Sequence, residues 1–380
     1  MQHAARPAPR PARRPAALRC ARLRTLDEAK ALVDLVYDTY GLSFHREWMY
    51  HPEQMLELNR RGDITSFIAL DGDRVVGHTG FVRPFFELQP EPGRPLTDPR
   101  VQEAGLSVVA PRLRGQGVQA ELGAAMFGHA VDSGLRGVMM RCVTHHPWSQ
   151  RSATRAGGLP VGLLLGCVPR WVRYDNDDHQ GDQPLSSLLI FTPLQPEQGA
   201  APLALPEGFG FVRAISAGAG LERAPAPRGD RAETALVCAW NGAKQLASVL
   251  VPEVGADLVE RLEQTVSWLI CGHIAHVTVY IAADDARLAE AGPALRAMGL
   301  FPAGWLPGFF AGGRDAVVLQ AVAWQELDPA LIAVEGEAAA QIKAEVVGGW
   351  AASRVGPPAA PPRHGAVIVH LDARRRARGL

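Results

Sequence analysis

The sequence predicts an α/β (α+β) chain of two domains, each a mixed, largely antiparallel twisted sheet with flanking helices. Three observations carry that expectation. The 380 residues exceed the usual span of one hydrophobic core. Hydrophobic residues make up 47% and charged residues 21%, the balance of a chain able to bury a core. Strand-like and helix-like segments alternate in two blocks, separated by a stretch of Ala, Pro, Glu and Gly. The boundaries follow: a disordered, basic, Pro/Ala-rich leader at 1–17, a first domain at 18–195, a linker at 196–207, a second domain at 208–354 and a flexible tail at 355–380.

The first element starts at Thr25, where Thr25 and Glu28 have capping-box spacing and Leu26, Ala29, Leu32, Val33 and Val36 mark one helical face. A second helix follows Pro52 and ends near Gly62, because Pro suits a first helical turn and Gly the residue after the last. SFIAL and RVVGHTGFV flank Asp71-Gly72 and read as a hairpin. The Pro-rich run LQPEPGRPLTDP is a loop before a strand from Gln102 to Val109. A helix over 118–133 stops at Gly134. GVMMRCVT then reads as a buried strand, SQRSATRAG as a short helix, and PVGLLLGCV and SSLLIF as strands. In the second block ADLVERLEQTVSWLICG is a helix, HVTVYIAA a strand, DARLAEAGPALRAMG a helix and AVVLQAVA a closing strand. A short AVIVHL strand is expected inside the tail. The shared rhythm of the blocks, including the turns Ala156-Gly157-Gly158-Leu159 and Met298-Gly299-Leu300-Phe301, suggests a duplication.

Composition narrows the function. Lys and Arg number 39, Asp and Glu 39, and the signs are interspersed, so no basic field invites nucleic acid or an anionic membrane. Apolar stretches reach about half of the roughly 20 residues that span a bilayer. The five cysteines (Cys20, Cys142, Cys167, Cys238, Cys271) are widely spaced with no CxxC pair, which fits a reducing cytoplasm. Cys142 and Cys167 lie in apolar runs and read as small buried hydrophobes. A small molecule or a local peptide is the expected partner.

One string carries chemistry: GLSVVAPRLRGQGVQAELGAAMFGHA. A strand ends at Val109, a tight loop holds Arg112, Arg114, Gly115, Gln116 and Gly117, and a helix begins near Val118. Backbone N–H groups and the positive helix end then converge on one concavity suited to phosphate oxygens. Glycine keeps a Cβ out of the anion's way, and arginine adds charge-assisted bonds. The Walker pattern fails because no GK[ST] follows; the dinucleotide fingerprint fails because there is one GxG and no acidic residue about 20 positions on. What fits is [QR]xxGx[GA], as Arg112-Leu113-Arg114-Gly115-Gln116-Gly117.

From the starting helices through the hairpin SFIALDGDRVVGHTGF, the LSVVAPRLRGQGV corner and the run THHPWSQRSATRAGG, roughly residues 18–194, the chain resembles the GCN5-related N-acetyltransferase (GNAT) superfamily. The resemblance implies a splayed central parallel strand pair in each domain, made in the first by GLSVV and GVMMRC. It implies acetyl-CoA or another acyl-CoA as co-substrate, with backbone contacts to the pantetheine arm from Val108 and Val109. Diphosphate binding by main-chain amides is carried over to Arg114, Gly115, Gln116, Gly117 and Val118. Direct attack of an amine on the thioester is the implied reaction. Aligning Gly157 with the family's glycine puts His146 at the usual Asn and Ala153 at the usual general-acid Tyr, so the usual acid is missing; His146 and the hydroxyls of Ser149, Ser152 and Thr154 are the substitutes.

Glu103 shares a strand face with Ser107 by period two and is the candidate base, the alternative being a solvated strand-end carboxylate. His145 and His146, consecutive on a strand, point apart and have no third ligand of fixed spacing, so no metal is expected. Trp148 and Trp171 read as core or as lining of the cleft. The later part of the second block looks like the closing portion of the same superfamily without its RxxGxG, a degenerate copy in a tandem arrangement. The expected function is acyl transfer, with acetyl the expected group, to an amine of a small molecule or peptide; the alternatives are a catalytically silent acyl-CoA sensor or scaffold, and an acyl carrier protein as donor, which Arg112, Arg114, Arg151 and Arg155 would greet with positive charge.

Overall fold

The computed structural model describes residues 18–44, 46–88, 95–171, 183–197, 199–324 and 327–353; the leader at 1–17 and the tail at 355–380 with its AVIVHL strand lie outside the described residues. The chain forms two compact units. The first takes the described residues up to Arg83 together with Ala104–Gly134 and Trp171; the second takes Pro84–Glu103, Leu135–Arg170 and the described residues from 183 onward. This division does not follow the linear boundary at 195/196, because strands on both sides of it pair within the second unit.

In the first unit β1 (Arg19–Arg22) pairs antiparallel with β2 (Ile64–Asp71), and β2 with β3 (Arg74–Val82), in the order β1-β2-β3-β4. Helix α1 (Leu26–Tyr40) starts on the expected capping box: Glu28 N donates to Thr25 Oγ1 at 3.2 Å and Thr25 N to Glu28 Oε2 at 3.0 Å. Helix α2 (Pro52–Arg61) has Pro at its start and a left-handed Gly62 after its end, at φ 72°. Strand β4 (Val101–Val109) leads to α3 (Val118–Asp132). Within β4 Leu106 has φ 58°, a left-handed conformation rare for a non-glycine residue. Its carbonyl accepts from His78 Nδ1 at 2.7 Å.

The second unit continues with β5 (Gly137–Val143), α4 (Trp148–Arg155), β6 (Leu159–Val168), β7 (Leu185–Pro193), β8 (Ala201–Leu203), α5 (Gly210–Gly218), β9 (Arg223–Pro225), β10 (Ala235–Asn241) and β11 (Leu246–Glu253). After these come α6 (Leu258–Cys271), β12 (His276–Ala282), α7 (Arg287–Glu290), α8 (Gly292–Ala297), β13 (Phe301–Phe310), β14 (Arg314–Val322) and α9 (Glu337–Ser353). Its large sheet runs β5-β7-β6-β13-β14-β12-β11-β10, and β8 pairs with β9. The expected single helix over DARLAEAGPALRAMG is two, since Pro293 at the start of α8 has no N–H to continue a helix. FPAGWLPGFF, which follows the turn at Gly299, is the fully buried strand β13.

Part of this unit repeats itself. LPVGLLLG (159–166) and FPAGWLPG (301–308) align without a gap. Both strands break register at the same places, Pro160/Gly162 and Leu164/Val168 in β6, Pro302/Gly304 and Leu306/Phe310 in β13. Gly157 and Gly299 have φ 83° and 82°, Gly166 and Gly308 59° and 61°. Gly166 N donates to Ser186 Oγ at 3.0 Å, and Gly308 N to Asp315 Oδ1 at 2.9 Å. The repeats meet where Gly162 pairs with Gly304.

Two buried histidines give the fold an acid limit. His78 is held by Leu106 O; His276 Nδ1 donates to Leu165 O at 2.8 Å while its Nε2 accepts from Thr278 Oγ1 at 2.8 Å, a set that suits the neutral ring. Burial lowers each to about 4. Between that value and the ordinary value of about 6.5 the unfolded chain binds more protons than the folded one, so stability is lost as the pH is lowered through this window. Urea midpoints measured from pH 7 to pH 4 are expected to decline across this window, and His276→Gln should flatten part of the decline. Among the described residues no helix is long and apolar enough to cross a membrane.

Candidate active site

The strand-to-helix corner of the first unit is built from Val109 to Val118. Val108 is buried and Val109 half-buried on β4. The chain turns where Ala110 N donates to Val76 O at 2.9 Å, and a 3-10 turn over Pro111–Leu113 sinks the Leu113 side chain into the core. Gly115 and Gly117 both take left-handed φ, 73° and 83°. A Cβ added at either would meet nothing within 4 Å, so the space facing them is open. The corner is anchored because α3 lies close on β3: a Cβ on Gly77 would come 2.9 Å from Val118 Cγ1 and 3.0 Å from Leu122 Cδ1.

The amides of the corner divide into two groups. Arg114 N donates to Pro111 O and Gln116 N to Leu113 O, each at 3.3 Å, so these two hold the turn. The N–H groups of Val118 and Gln119 open α3 and have no carbonyl a turn earlier to meet. Those of Gly115 and Gly117 donate to no other backbone carbonyl among the described residues. The helix dipole and the exposed Arg112 and Arg114 add positive potential at this corner, the setting in which helix starts attract anions. Behind it, Ser107 Oγ accepts from Gln119 Nε2 at 3.0 Å and lies 3.0 Å from Thr79 Oγ1. The left-handed Leu106 between Glu103 and Ser107 interrupts the period of two, so the argument that placed both on one face does not carry past it.

In the second unit Glu103 is half-buried and pairs with Arg141 of β5, Oε2 to Nε at 3.6 Å. Arg141 Nη2 donates to Tyr280 Oη at 3.2 Å. Burial opposes the Arg141 charge, but Glu103 and Tyr280 outweigh it and raise its pKa. Cys167 adjoins the same group, its thiol pushed up by burial. Arg141, Tyr280 and Cys167 were not singled out as a group from sequence. The available clue was one arginine in the otherwise apolar run GVMMRCV; its partner on β12 is 139 residues away.

His146 lies in a bend between β5 and α4, not on a strand, and its ring contacts His145 at 4.3 Å and stacks on Trp148 at 4.6 Å. The expectation that the two histidines point apart therefore fails, since the strand ends at Val143. Ser149 sits in the first turn of α4 beside Cys142, whose thiol burial pushes up to about 12, as suits a buried hydrophobe. Ala153 is buried and offers no hydroxyl. The N-terminus of α4 is tied to a later segment: Gln150 Nε2 donates to Val143 O at 3.1 Å and Ala333 O at 2.9 Å, Glu335 N donates to Gln150 Oε1 at 3.1 Å, and Arg151 pairs with Glu335 at 2.6 Å. Trp148 and Trp171 are exposed, 67% and 45%, so neither is a core residue.

Residues 29–157 match the family model described as Acetyltransferase (GNAT) family. Solved structures similar to this chain include yncA, a putative acetyltransferase from Salmonella typhimurium with its cofactor acetyl-CoA, at 13% identity over 48% of this chain and 96% of that one, with a TM-score of 0.37. A ribosomal-protein-alanine N-acetyltransferase from Brucella melitensis is 19% identical over 47% and 99%, with a TM-score of 0.34. A GCN5-related N-acetyltransferase from Kribbella flavida is 20% identical over 47% and 99%, with a TM-score of 0.35. No curated protein matches the sequence.

Proposed function

We propose that this chain, an acyltransferase with a GNAT acetyltransferase domain over residues 29–157, moves an acetyl group from acetyl-CoA to an amine of a small molecule or peptide by direct attack on the thioester. The carrying observation is the corner itself: two left-handed glycines facing open space, with the unbonded amides of Gly115, Gly117, Val118 and Gln119 gathered at a helix start. In this reading they hold the coenzyme diphosphate, Arg112 and Arg114 add charge, and Val108 and Val109 offer backbone groups to the pantetheine arm. The amides of Arg114 and Gln116 join only if the two long turn bonds open.

Amine attack needs a neutral nucleophile, so Glu103 takes the ammonium proton, directly or through water. His146 or Ser149 returns a proton to the departing thiolate in place of the absent tyrosine. The bond formed is N–C(acyl) and the bond broken S–C(acyl); of the two protons the ammonium nitrogen loses, one passes through Glu103 to solvent and the other balances the one gained by CoA.

The C-terminal half supports a degenerate second copy. Strands β10 to β14 have the order β10-β11-β12-β14-β13, and the β12-β14-β13 part repeats β5-β7-β6 residue by residue. Its central parallel pair is closed: β11 and β12 are paired from Leu246↔His276 to Val251↔Ile281, leaving no gap for an arm. At the start of α6, the place of Gly117, stands Asp257, whose carboxylate accepts from Thr234 N at 2.6 Å. The loop before it is packed tight, as a Cβ on Gly255 would come 2.2 Å from Glu233 C. An anion is thus met by a carboxylate and by filled space. This half acts as scaffold for the first.

The test is thioester consumption, followed by free-thiol release, with acetyl-CoA and a panel of small-molecule amines and N-terminal peptides, beside acetyl-CoA binding by thermal shift. Amine-dependent release at least tenfold over hydrolysis is expected. Binding without release from any amine would favour the silent sensor instead, and release only from an acylated carrier protein would replace the donor.

A further inference from the structure

The duplication brings an unexpected pair of residues together. In the first repeat Gly162 pairs with Leu189, and Leu189 with Arg141. In the second Gly304 pairs with Val318, and Val318 with Tyr280. Arg141 and Tyr280 are therefore equivalent positions, and they are the two that meet, Nη2 to Oη at 3.2 Å. The second copy has given up its own arm-binding gap but sends a phenol into the first copy's charged cluster.

Tyr280 is built not to move. It is 1% exposed, its ring stacks on Phe309 at 5.3 Å and 14°, and Phe85 packs edge-on at 5.2 Å. Phe85 holds that contact from a left-handed φ of 54°. A phenol oxygen fixed this way is a rigid acceptor for a flexible guanidinium. The groups facing Glu103 are Arg141 of β5, Tyr280 of β12 and Cys167 of β6. Burial raises both the phenol and the thiol, so Arg141 carries the only charge among these three at neutral pH.

We infer that Tyr280 is a positioning residue, which, by accepting from Arg141, pins the guanidinium against Glu103 and holds that carboxylate and its nearest cation in one fixed arrangement. The role in turnover rests on the reading of Glu103 as base; the electrostatic role does not. Without the phenol oxygen, the guanidinium loses its partner on the buried side and turns toward solvent, and the carboxylate loses its nearest cation.

The experiment uses the full chain with ¹³C-carboxyl-labelled glutamate. The Glu103 resonance is identified by its loss in Glu103→Gln, and its titration midpoint is read in the wild type, in Tyr280→Phe and in Arg141→Lys, which keeps the charge but cannot bridge both neighbours. An upward move of about half to one pH unit is expected in both variants, with the rising limb of kcat/KM for the amine moving by the same amount and KM for acetyl-CoA unchanged. A midpoint that stays at its wild-type value in either variant overturns the proposal, and Arg141→Lys decides it alone should Tyr280→Phe fail to fold. If the midpoint moves while Glu103→Gln retains wild-type turnover, the base assignment fails and the positioning role stands.

Discussion

Gly117→Val is expected to weaken acetyl-CoA binding about 100-fold, read as Kd by calorimetry, while circular dichroism keeps the folded spectrum and the unfolding midpoint falls only by the backbone strain, about 1–3 kcal/mol. Gly117 has φ 83°, a conformation that a β-branched side chain resists, and its Cβ would project into open space rather than into protein. The loss therefore falls on whatever fills that space. Losing one or two amide contacts to an anion, at about 1.5–3 kcal/mol for each charged hydrogen bond, covers that factor, since about 1.4 kcal/mol is a tenfold change. Gly115→Val acts in the same direction. Unchanged affinity in both variants would remove the cofactor assignment, because the corner would then hold nothing.

Gly162→Ala should have the opposite profile, a large loss of stability with no direct effect on the corner. A Cβ at Gly162 would come 2.4 Å from Ala303 O and 2.5 Å from Gly304 Cα, both backbone atoms that cannot swing aside. The β6–β13 pairing must part to admit one methyl group. A cost of about 3 kcal/mol is expected from overpacking of this kind, seen as a lower urea midpoint. Gly162→Ala with wild-type stability would mean that the two strands do not meet as described.

Much of the first unit was legible because its cues are local. Thr25 and Glu28 announce a helix start, Asp71-Gly72 a hairpin, and the glycines at 115 and 117 a left-handed corner, each decided within a few residues. The second unit was less legible. Strand β13 contains two prolines and two glycines, which weaken any strand signal, yet it is fully buried, with breaks in register beside the prolines. Strands β10 and β11 were passed over for a helix that follows them. Of the candidate site, the glycine corner followed from spacing, whereas the period-two argument for Glu103 breaks at the left-handed Leu106. The Arg141–Tyr280 bond did not, because no local rule links two strands 139 residues apart.

The meeting of Gly162 and Gly304 also bears on any attempt to dissect the molecule. A fragment ending between residues 195 and 207 would keep β6 but leave its outer rim bare, with N–H and C=O groups unmatched along an apolar strand. Such a rim recruits other chains. The stretch that would be cloned as a self-sufficient catalytic module thus depends on the rest of the polypeptide as a permanent cover.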